Sequence, residues 1–351
     1  MKLPMREFNT SGPNNPDIHF TVMREALLQK TSGQIIRPDD PKGGQYLTLF
    51  APRQTGKTTF VEQLMKRLER RQFFPVMISF EALSGLEESV FYRELGKLLE
   101  RRGDFPFPIP AMSNRFDLLD FLADLRKQLP QKLCLIVDDC DAIDDTCLGS
   151  FLHLIRPIYH FRDRGYNLHS LILVSVRNLA EIDLGDSPPF NIGEDLRLRF
   201  FTREETFDLI GQYETESGQL FTPEARDRIF HETQGQPELA NALCKKMVED
   251  LNPGSGKVLG PKIADAAIEQ LLHHDISGNL TNVLNKARKV KKEVIALLKT
   301  DTKTEFFIDM KWQKFLWIEG IIDVDDLGDW RKYVKFSCPL YEKKLRDAFQ
   351  P

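Results

Sequence analysis

Residues Ala51 to Thr58 read A-P-R-Q-T-G-K-T. A chain that turns sharply from a strand into a helix at such a stretch aims several backbone N–H groups at one point, at the positive end of the helix dipole. Gly56 lets the backbone approach a ligand without a Cβ, Lys57 adds an ammonium and Thr58 a hydroxyl. That set suits a nucleoside triphosphate, with Lys57 reaching the β- and γ-phosphates and Thr58 ligating Mg²⁺. Pro52, Arg53, Gln54 and Thr55 complete the turn around the phosphates, and Thr59 in the first helical turn faces the α-phosphate side. The general pattern is G-x-x-x-x-G-K-[ST], and Ala51 occupies the first glycine position. Alanine serves there if φ is negative; a positive φ would cost about 1 kcal/mol.

Mg²⁺ also needs a carboxylate at the end of a neighbouring buried strand. The run L-C-L-I-V-D-D-C-D, Leu133 to Asp141, supplies one. Asp138 directly follows the apolar stretch and is placed to support the cation, usually through water. Asp139 is placed to polarise an attacking water as general base, and Asp141 is a third carboxylate close by. The next apolar run ends L-I-L-V-S-V-R-N, which puts Ser175, Arg177 and Asn178 where sheets of this kind place ligand contacts. The turn Q-G-Q-P, Gln234 to Pro237, starts a helix with Pro237 at its first position.

The elements around these residues follow from hydrophobic periodicity. Strands are expected at Tyr46–Phe50, Pro75–Phe80, Leu133–Val137, Leu168–Val174 and, at an edge, Leu196–Phe201. Helices are expected at His19–Lys30, Thr59–Arg70, Glu87–Glu100, Phe116–Gln128 and Thr146–Phe161, and Arg37–Gly44 reads as a turn-rich linker. Alternating strand and helix predict a parallel sheet with helices on both faces. From Thr202 the character changes to all-helical, opened by the capping box Thr202-Arg203-Glu204-Glu205. A second helix starts at Thr222-Pro223-Glu224, a third spans Glu238–Leu251, and Lys262–His273 follows the loop Asn252–Pro261. The last stretch suggests helices at Lys289–Lys299 and Lys311–Glu319, β segments at Gly320–Val324 and Tyr333–Phe336, and a helix at Leu340–Phe349, which is a winged-helix outline. The expected fold is therefore α/β, a P-loop NTPase parallel sheet with flanking helices, followed by a helical lid and a winged-helix-like unit. The corresponding divisions are a lead-in at 1–45, the ATPase sheet domain at 46–201, the lid at 202–277 and the winged-helix-like domain at 278–351.

A chain of 351 residues with 41% hydrophobic content has room for two or three packed cores. Lys+Arg 48 against Asp+Glu 52 gives a net charge of -4, so no whole-chain electrostatic argument for nucleic acid exists. Five cysteines without a C-x-x-C pair read as buried thiols in a reducing compartment. No window approaches the roughly 20 apolar residues of a membrane span, and the N-terminus lacks a signal-peptide core. The expectation is a cytoplasmic protein that makes no use of a membrane.

The order P-R-Q-T-G-K-T-T, then a strand ending D-D-x-D, a strand ending S-V-R, and a helical region with G-x-P resembles the AAA-like ATPases of the STAND branch of P-loop NTPases. Bacterial proteins with a PRQTGKT loop share these residues, and the lead-in F-N-T-S-G-P-N-N-P-D-I-H-F, Phe8 to Phe20, is similar as well. The likeness runs from about Phe8 to Met247 and beyond that holds only in outline. It implies ATP and Mg²⁺ as cofactors, phosphate and metal binding by Lys57 and Thr58, Mg²⁺ support from Asp138 and acid-base work by Asp139. It further implies a strand-end sensor at Arg177, a lid motif at Gly235 and Pro237 facing the nucleotide, and a lead-in near Gly12 to His19 flanking the adenine. Aspartate at 139, where many relatives carry glutamate, implies slow turnover. No arginine lies between Arg177 and Arg197, the interval where ring-forming motors carry their intersubunit finger, and no N-K-x-D specifies guanine.

Three functions fit these residues. An ATP-dependent switch would act on a protein partner or assemble with itself according to the nucleotide held. A DNA-associated loader or remodelling protein would use K-A-R-K-V-K-K, Lys286 to Lys292, but 15 Lys/Arg against 11 Asp/Glu over Asn279 to Pro351 is a thin surplus for phosphate backbones. A scaffold could keep the nucleotide site without turnover. A kinase would need an acceptor site, which nothing in the sequence marks.

Overall fold

The computed structural model describes residues 6–37, 43–161, 165–176, 192–252, 254, 256–275, 277–300, 302–326 and 331–350. They form two compact units, one of residues 24–51 and 60–198, the other of 1–23, 52–59 and 199–351.

The first unit is built on a five-stranded parallel sheet in the order β2-β3-β4-β1-β5. Its strands are β1 (Tyr46–Phe50), β2 (Phe73–Ser79), β3 (Lys132–Asp138), β4 (Leu168–Ser175) and β5 (Gly193–Arg197). Every residue of β1 and β4 is buried, as expected of central parallel strands covered on both faces. The helices are α1 (Glu25–Ile36), α2 (Lys57–Glu69), α3 (Glu88–Arg102), α4 (Arg115–Gln128) and α5 (Asp145–Phe161).

Alternation along the strands divides the core. Cys134, Ile136, Ile172 and Val174 pack with Leu28 and Ile35 of α1 and Phe60, Leu64 and Leu68 of α2. Leu133, Leu135, Val137, Leu171 and Leu173 pack with α3, α4 and α5 through Phe91, Leu122 and Phe151. This is a P-loop NTPase sheet with flanking helices, as the sequence pattern predicts.

Two elements differ from the pattern. The helix expected over His19–Lys30 spans Glu25–Ile36 instead, because His19 is drawn into an extended bridge with Glu7. The last strand is Gly193–Arg197 rather than Leu196–Phe201, with Leu196 its buried position. The expected linker Arg37–Gly44 lies largely outside the described residues.

The second unit contains α6 (Arg203–Ser217), α7 (Pro223–Thr233), α8 (Pro237–Glu249), α9 (Pro261–His273), α10 (Gly278–Ala287), α11 (Lys291–Lys299), α12 (Lys311–Ile318), the hairpin β6 (Ile322–Asp326) and β7 (Lys332–Phe336), and α13 (Pro339–Phe349). The Thr202/Glu205 capping box opens α6 and Thr222 caps α7, both as read from sequence. The helix α10 has no counterpart in the sequence reading: Gly278, Asn279, Thr281 and Asn282 are weak helix formers, and the Ser277 side chain starts it by accepting from Leu280 N. Glu305 makes an isolated antiparallel bridge to Tyr333 of β7. In the lead-in, the Phe8 and Phe20 rings pack at a tilt with centroids 4.8 Å apart and meet Tyr213 of α6 at 5.6 and 5.9 Å. One apolar cluster runs from these rings through α7 to α10 and into α13.

Leu173 lies fully buried in the middle of the sheet. Leu173→Ala is expected to cost about 2–5 kcal/mol, read as a lowered denaturant midpoint of the sheet unit.

Candidate functional site

Parallel strands put their C-terminal ends on one edge of the sheet, and most of the singled-out polar residues of the sheet unit gather there. Asp138 ends β3, is 5% exposed, and accepts from the Asp139 N–H at 3.0 Å through Oδ1. Asp139 adopts a left-handed conformation with φ of 49°, which is uncommon for a residue with a Cβ and turns the chain away from the strand. Its Oδ2 accepts from Ser79 Oγ at 3.3 Å. Ser79 pairs with Asp138 in the β2–β3 register and caps the following turn by accepting from Glu81 N. Asp141 Oδ1 accepts from Val176 N at 3.4 Å, and Ser175 O accepts from Ala51 N at 3.3 Å. The carboxylates are thus aligned with the ends of β2, β4 and β1.

Asp138 also reaches the helix that follows the loop. The Glu62 carboxyl of α2 is pushed up, first by burial and then by the negative charge of Asp138, while Lys66 pulls it down. Beside it, burial pushes the Cys140 thiol well above its usual range, with Asp141 and Asp138 adding to the effect, so that Cys140 is an inert thiol.

In the second unit the loop 52–58 has its own local order. Positive φ falls on Gln54 (59°) and Gly56 (83°) and not on Ala51, so alanine at the first position of the pattern carries no conformational penalty. Thr55 is fully buried and donates from Oγ1 to Pro52 O at 2.8 Å. Lys57 Nζ donates to the same carbonyl at 3.0 Å, which folds the ammonium back over the loop. α2 begins at Lys57, so Thr58 and Thr59 lie in its first turn.

Three segments of this unit bear on the loop. Thr59 Oγ1 accepts from the Asn14 N–H of the lead-in at 3.0 Å. Gln236 donates through Nε2 to Gln54 O at 3.1 Å, and through Oε1 it caps α8, accepting from Leu239 N at 2.7 Å. Gly320, in the turn before β6, packs so closely that a Cβ there would lie 2.2 Å from Pro52 Cγ. Sequence reasoning singled out Pro237, which sits buried at the first position of α8; the residue that touches the loop is its neighbour Gln236. The signal for Gln236 was the Q-G-Q-P turn itself, but Ser79 and Asn14 had none, since both depend on chain partners far away in sequence. Arg177 and Asn178 lie outside the described residues.

Taken each in its own unit, the Thr58 hydroxyl and the buried Asp138 carboxylate are hard oxygen donors, the kind that Mg²⁺ takes. Among the described residues no group of three or more His, Cys, Asp or Glu could hold a metal.

Residues 40–182 match the family model described as an AAA domain. Among solved structures, a Walker-type ATPase of Pyrococcus abyssi is 14% identical with a TM-score of 0.61, over 97% of this chain and 99% of that one. The ORC2 protein of Aeropyrum pernix, solved as ADPNP-ADP complexes, is 14% identical with a TM-score of 0.56, over 93% and 94% of the two chains. The RuvB Holliday junction branch migration motor of Thermotoga maritima is 15% identical with a TM-score of 0.50, over 94% and 95%. No curated protein matches the chain. The family match thus covers the sheet-bearing part of the chain, and the solved structures share the fold. Among the described residues no helix is long and apolar enough to cross a membrane.

Gly320 has φ of 69° as well as its close approach to Pro52. Gly320→Ala is expected to cost about 1–3 kcal/mol from the left-handed backbone and the overlap, seen as a lower thermal midpoint of the unit. In the first turn of α8, Glu238 buries Oε2 without a hydrogen-bond donor among the described residues, and burial lifts its carboxyl from 4.5 to about 7. A raised folded-state value means stability that is fully present below pH 4.5 and is lost as pH rises through 7. Glu238→Gln is expected to flatten the fall in unfolding free energy between pH 5 and 8 by up to about 3 kcal/mol, measured by denaturant titration at each pH.

Proposed function

We propose that this protein is a Mg²⁺-dependent, ATP-binding and slowly ATP-hydrolysing switch of the STAND type. The observation that carries the reading is the loop 51–58, a strand-to-helix turn with left-handed Gln54 and Gly56 and with Lys57 folded over it. Successive N–H groups in such a turn form an anion-binding concavity. Pro52, Arg53, Gln54, Thr55 and Gly56 supply the cradle, Lys57 the charge on the β- and γ-phosphates, and Thr59 the α-phosphate side. Thr58 and Asp138 would hold Mg²⁺, which would supply neutralising charge to the phosphate oxygens. Asp139 takes the proton of the attacking water as its oxygen bonds to the γ-phosphorus and the bridging bond to ADP breaks, and Ser79 fixes the carboxylate through its hydrogen bond. The short aspartate side chain is consistent with slow turnover. Arg177, two residues after Ser175 in sequence, is proposed as the sensor of the γ-phosphate.

The switch is carried by the contacts on the loop. Gln236 ties α8 to Gln54, and Gly320 sets the C-terminal helices and hairpin against Pro52. A phosphate that re-forms the loop backbone changes both contacts together, which gives the helical lid and a winged-helix-like unit a direct response to nucleotide. The succession α11, Glu305 bridge, α12, β6–β7 hairpin and α13 supports the winged-helix reading. Gly235 and Pro237 are proposed as the lid motif facing the nucleotide, and the lead-in near Gly12 to His19 as the segment flanking the adenine. The output is a nucleotide-dependent contact with a protein partner or a second copy of this chain, in the cytoplasm.

A DNA-associated role is the second reading, favoured by the K-A-R-K-V-K-K run. That run is largely engaged within its own unit. Lys286 pairs with Glu319, Lys289 and Lys291 lie over the rings of Phe315 and Phe349, and Arg288 donates to Asn285 at 3.1 Å. The switch is therefore preferred.

Equilibrium binding of Mg-ATP, steady-state turnover and size exclusion in both nucleotide states test the proposal. Lys57→Ala should lose ATP binding, while Asp139→Asn should bind normally and turn over about 10²-fold more slowly. Wild-type protein that binds no ATP would refute the reading, and salt-dependent DNA binding without any nucleotide-dependent change in size would favour the second one.

A further inference from the structure

The helix that follows the loop ends in a feature that ATP chemistry does not use. A cleft of about 390 Å³ is lined by Glu25, Gln29, Ser32 and Ile36 of α1 and by Arg67, Arg70 and Arg71. The α1 residues recur at helical spacing along one face; Arg67 lies in the last turn of α2, and Arg70 and Arg71 lie in the turn that follows it. The backbone closes α2 tightly, with Arg71 N bonded to Leu68 O at 2.9 Å and Gln72 N to Glu69 O at 3.0 Å. Gln72 turns left-handed at φ of 64°. The two last arginines are thereby set next to each other at the cleft.

Arg67 is neutralised by an ion pair with Glu25. Arg70 and Arg71 are exposed, and their guanidinium groups have no ion-pair or hydrogen-bond partner among the described residues. Three guanidinium groups thus face one carboxylate in a chain whose net charge is -4. Basic residues suit the negative end of a helix, which explains one arginine there. It does not explain three on one concave surface. Two neighbouring planar forks match a multiply charged phosphoryl group better than a single carboxylate, which one of them would satisfy. Gln29 and Ser32 add neutral polar groups on the opposite wall, and Ile36 closes one side with an apolar surface.

We propose that this cleft is a second anion site, which binds phosphoryl groups independently of the loop at 51–58. Its ligand is either a free polyphosphate or the phosphodiester backbone of a single nucleic-acid strand; both present adjacent phosphoryl charges to Arg70 and Arg71.

The test uses the full chain carrying Lys57→Ala, so that the loop does not compete, with and without Arg70→Ala and Arg71→Ala together. Inorganic tripolyphosphate is titrated calorimetrically, and a short labelled oligothymidylate is followed by fluorescence anisotropy over a range of salt concentrations. At least one probe is expected to bind and to weaken about tenfold or more in the double variant. For the oligothymidylate, the slope of log affinity against log salt should also fall by about 1.4, the value for two lost phosphate contacts on a single strand. Tripolyphosphate binding alone identifies a small ligand, and oligothymidylate binding alone identifies a strand. Failure of both probes to bind, or equal binding by the double variant, overturns the site. Circular dichroism melts of both proteins check that they fold alike; should the alanine variant melt early, Arg70→Gln with Arg71→Gln replaces it.

Discussion

A parallel sheet covered on both faces has almost no room for unpaired polar groups along its strands, and this constraint governs the sheet unit. β1 and β4 are buried throughout. The polar residues inside them, such as Thr48, His169 and Ser170, are held by hydrogen bonds to neighbouring groups. Along β1, β3 and β4 charge is admitted only at the strand ends, whereas the edge strand β5 carries Glu194 and Asp195 on exposed positions. Asp138, Asp139, Asp141 and Ser175 therefore collect at one edge, and the loop leaves β1 at that edge through Ala51.

Concentrating polar groups at the strand ends has conformational consequences. Asp139 and Gln54 both occupy the left-handed region without being glycine, a conformation that persists only when the surroundings impose it. At Asp139 those surroundings are the Ser79 hydroxyl and the neighbouring Asp138 carboxylate. At Gln54 they are Gln236, donating to its carbonyl, and the buried Thr55 side chain tied to Pro52.

The second unit uses the same economy. Gln236 caps α8 with one end of its amide and reaches the loop with the other, so helix initiation and loop contact are one arrangement. The aromatic group of Phe8, Phe20 and Tyr213 anchors the lead-in on α6, which leaves the Asn14 N–H in position for Thr59. The basic run after α10 is spent on ion pairing and ring contacts in its own unit. Its lysines consequently say little about an external polyanion, whereas Arg70 and Arg71, which look unremarkable in sequence, stand open.

The sequence by itself determined what local patterns encode. The apolar runs Leu133–Val137 and Leu168–Val174 read as buried strands, P-R-Q-T-G-K-T as a strand-to-helix turn, and Thr202-Arg203-Glu204-Glu205 as a helix start, and the structure has each of them. Each of these depends on residues within one turn or one strand of each other. Tertiary structure alone decided the rest. His19 was taken from a helix by Glu7, and the weak helix formers of α10 were held helical by Ser277 and by burial of Leu280 and Val283. Ser79 was brought to Asp139 by strand register, and the arginines at the end of α2 were turned into one wall of a cleft by a facing helix. Those outcomes rest on contacts between residues far apart in the chain, whose energies no local pattern records.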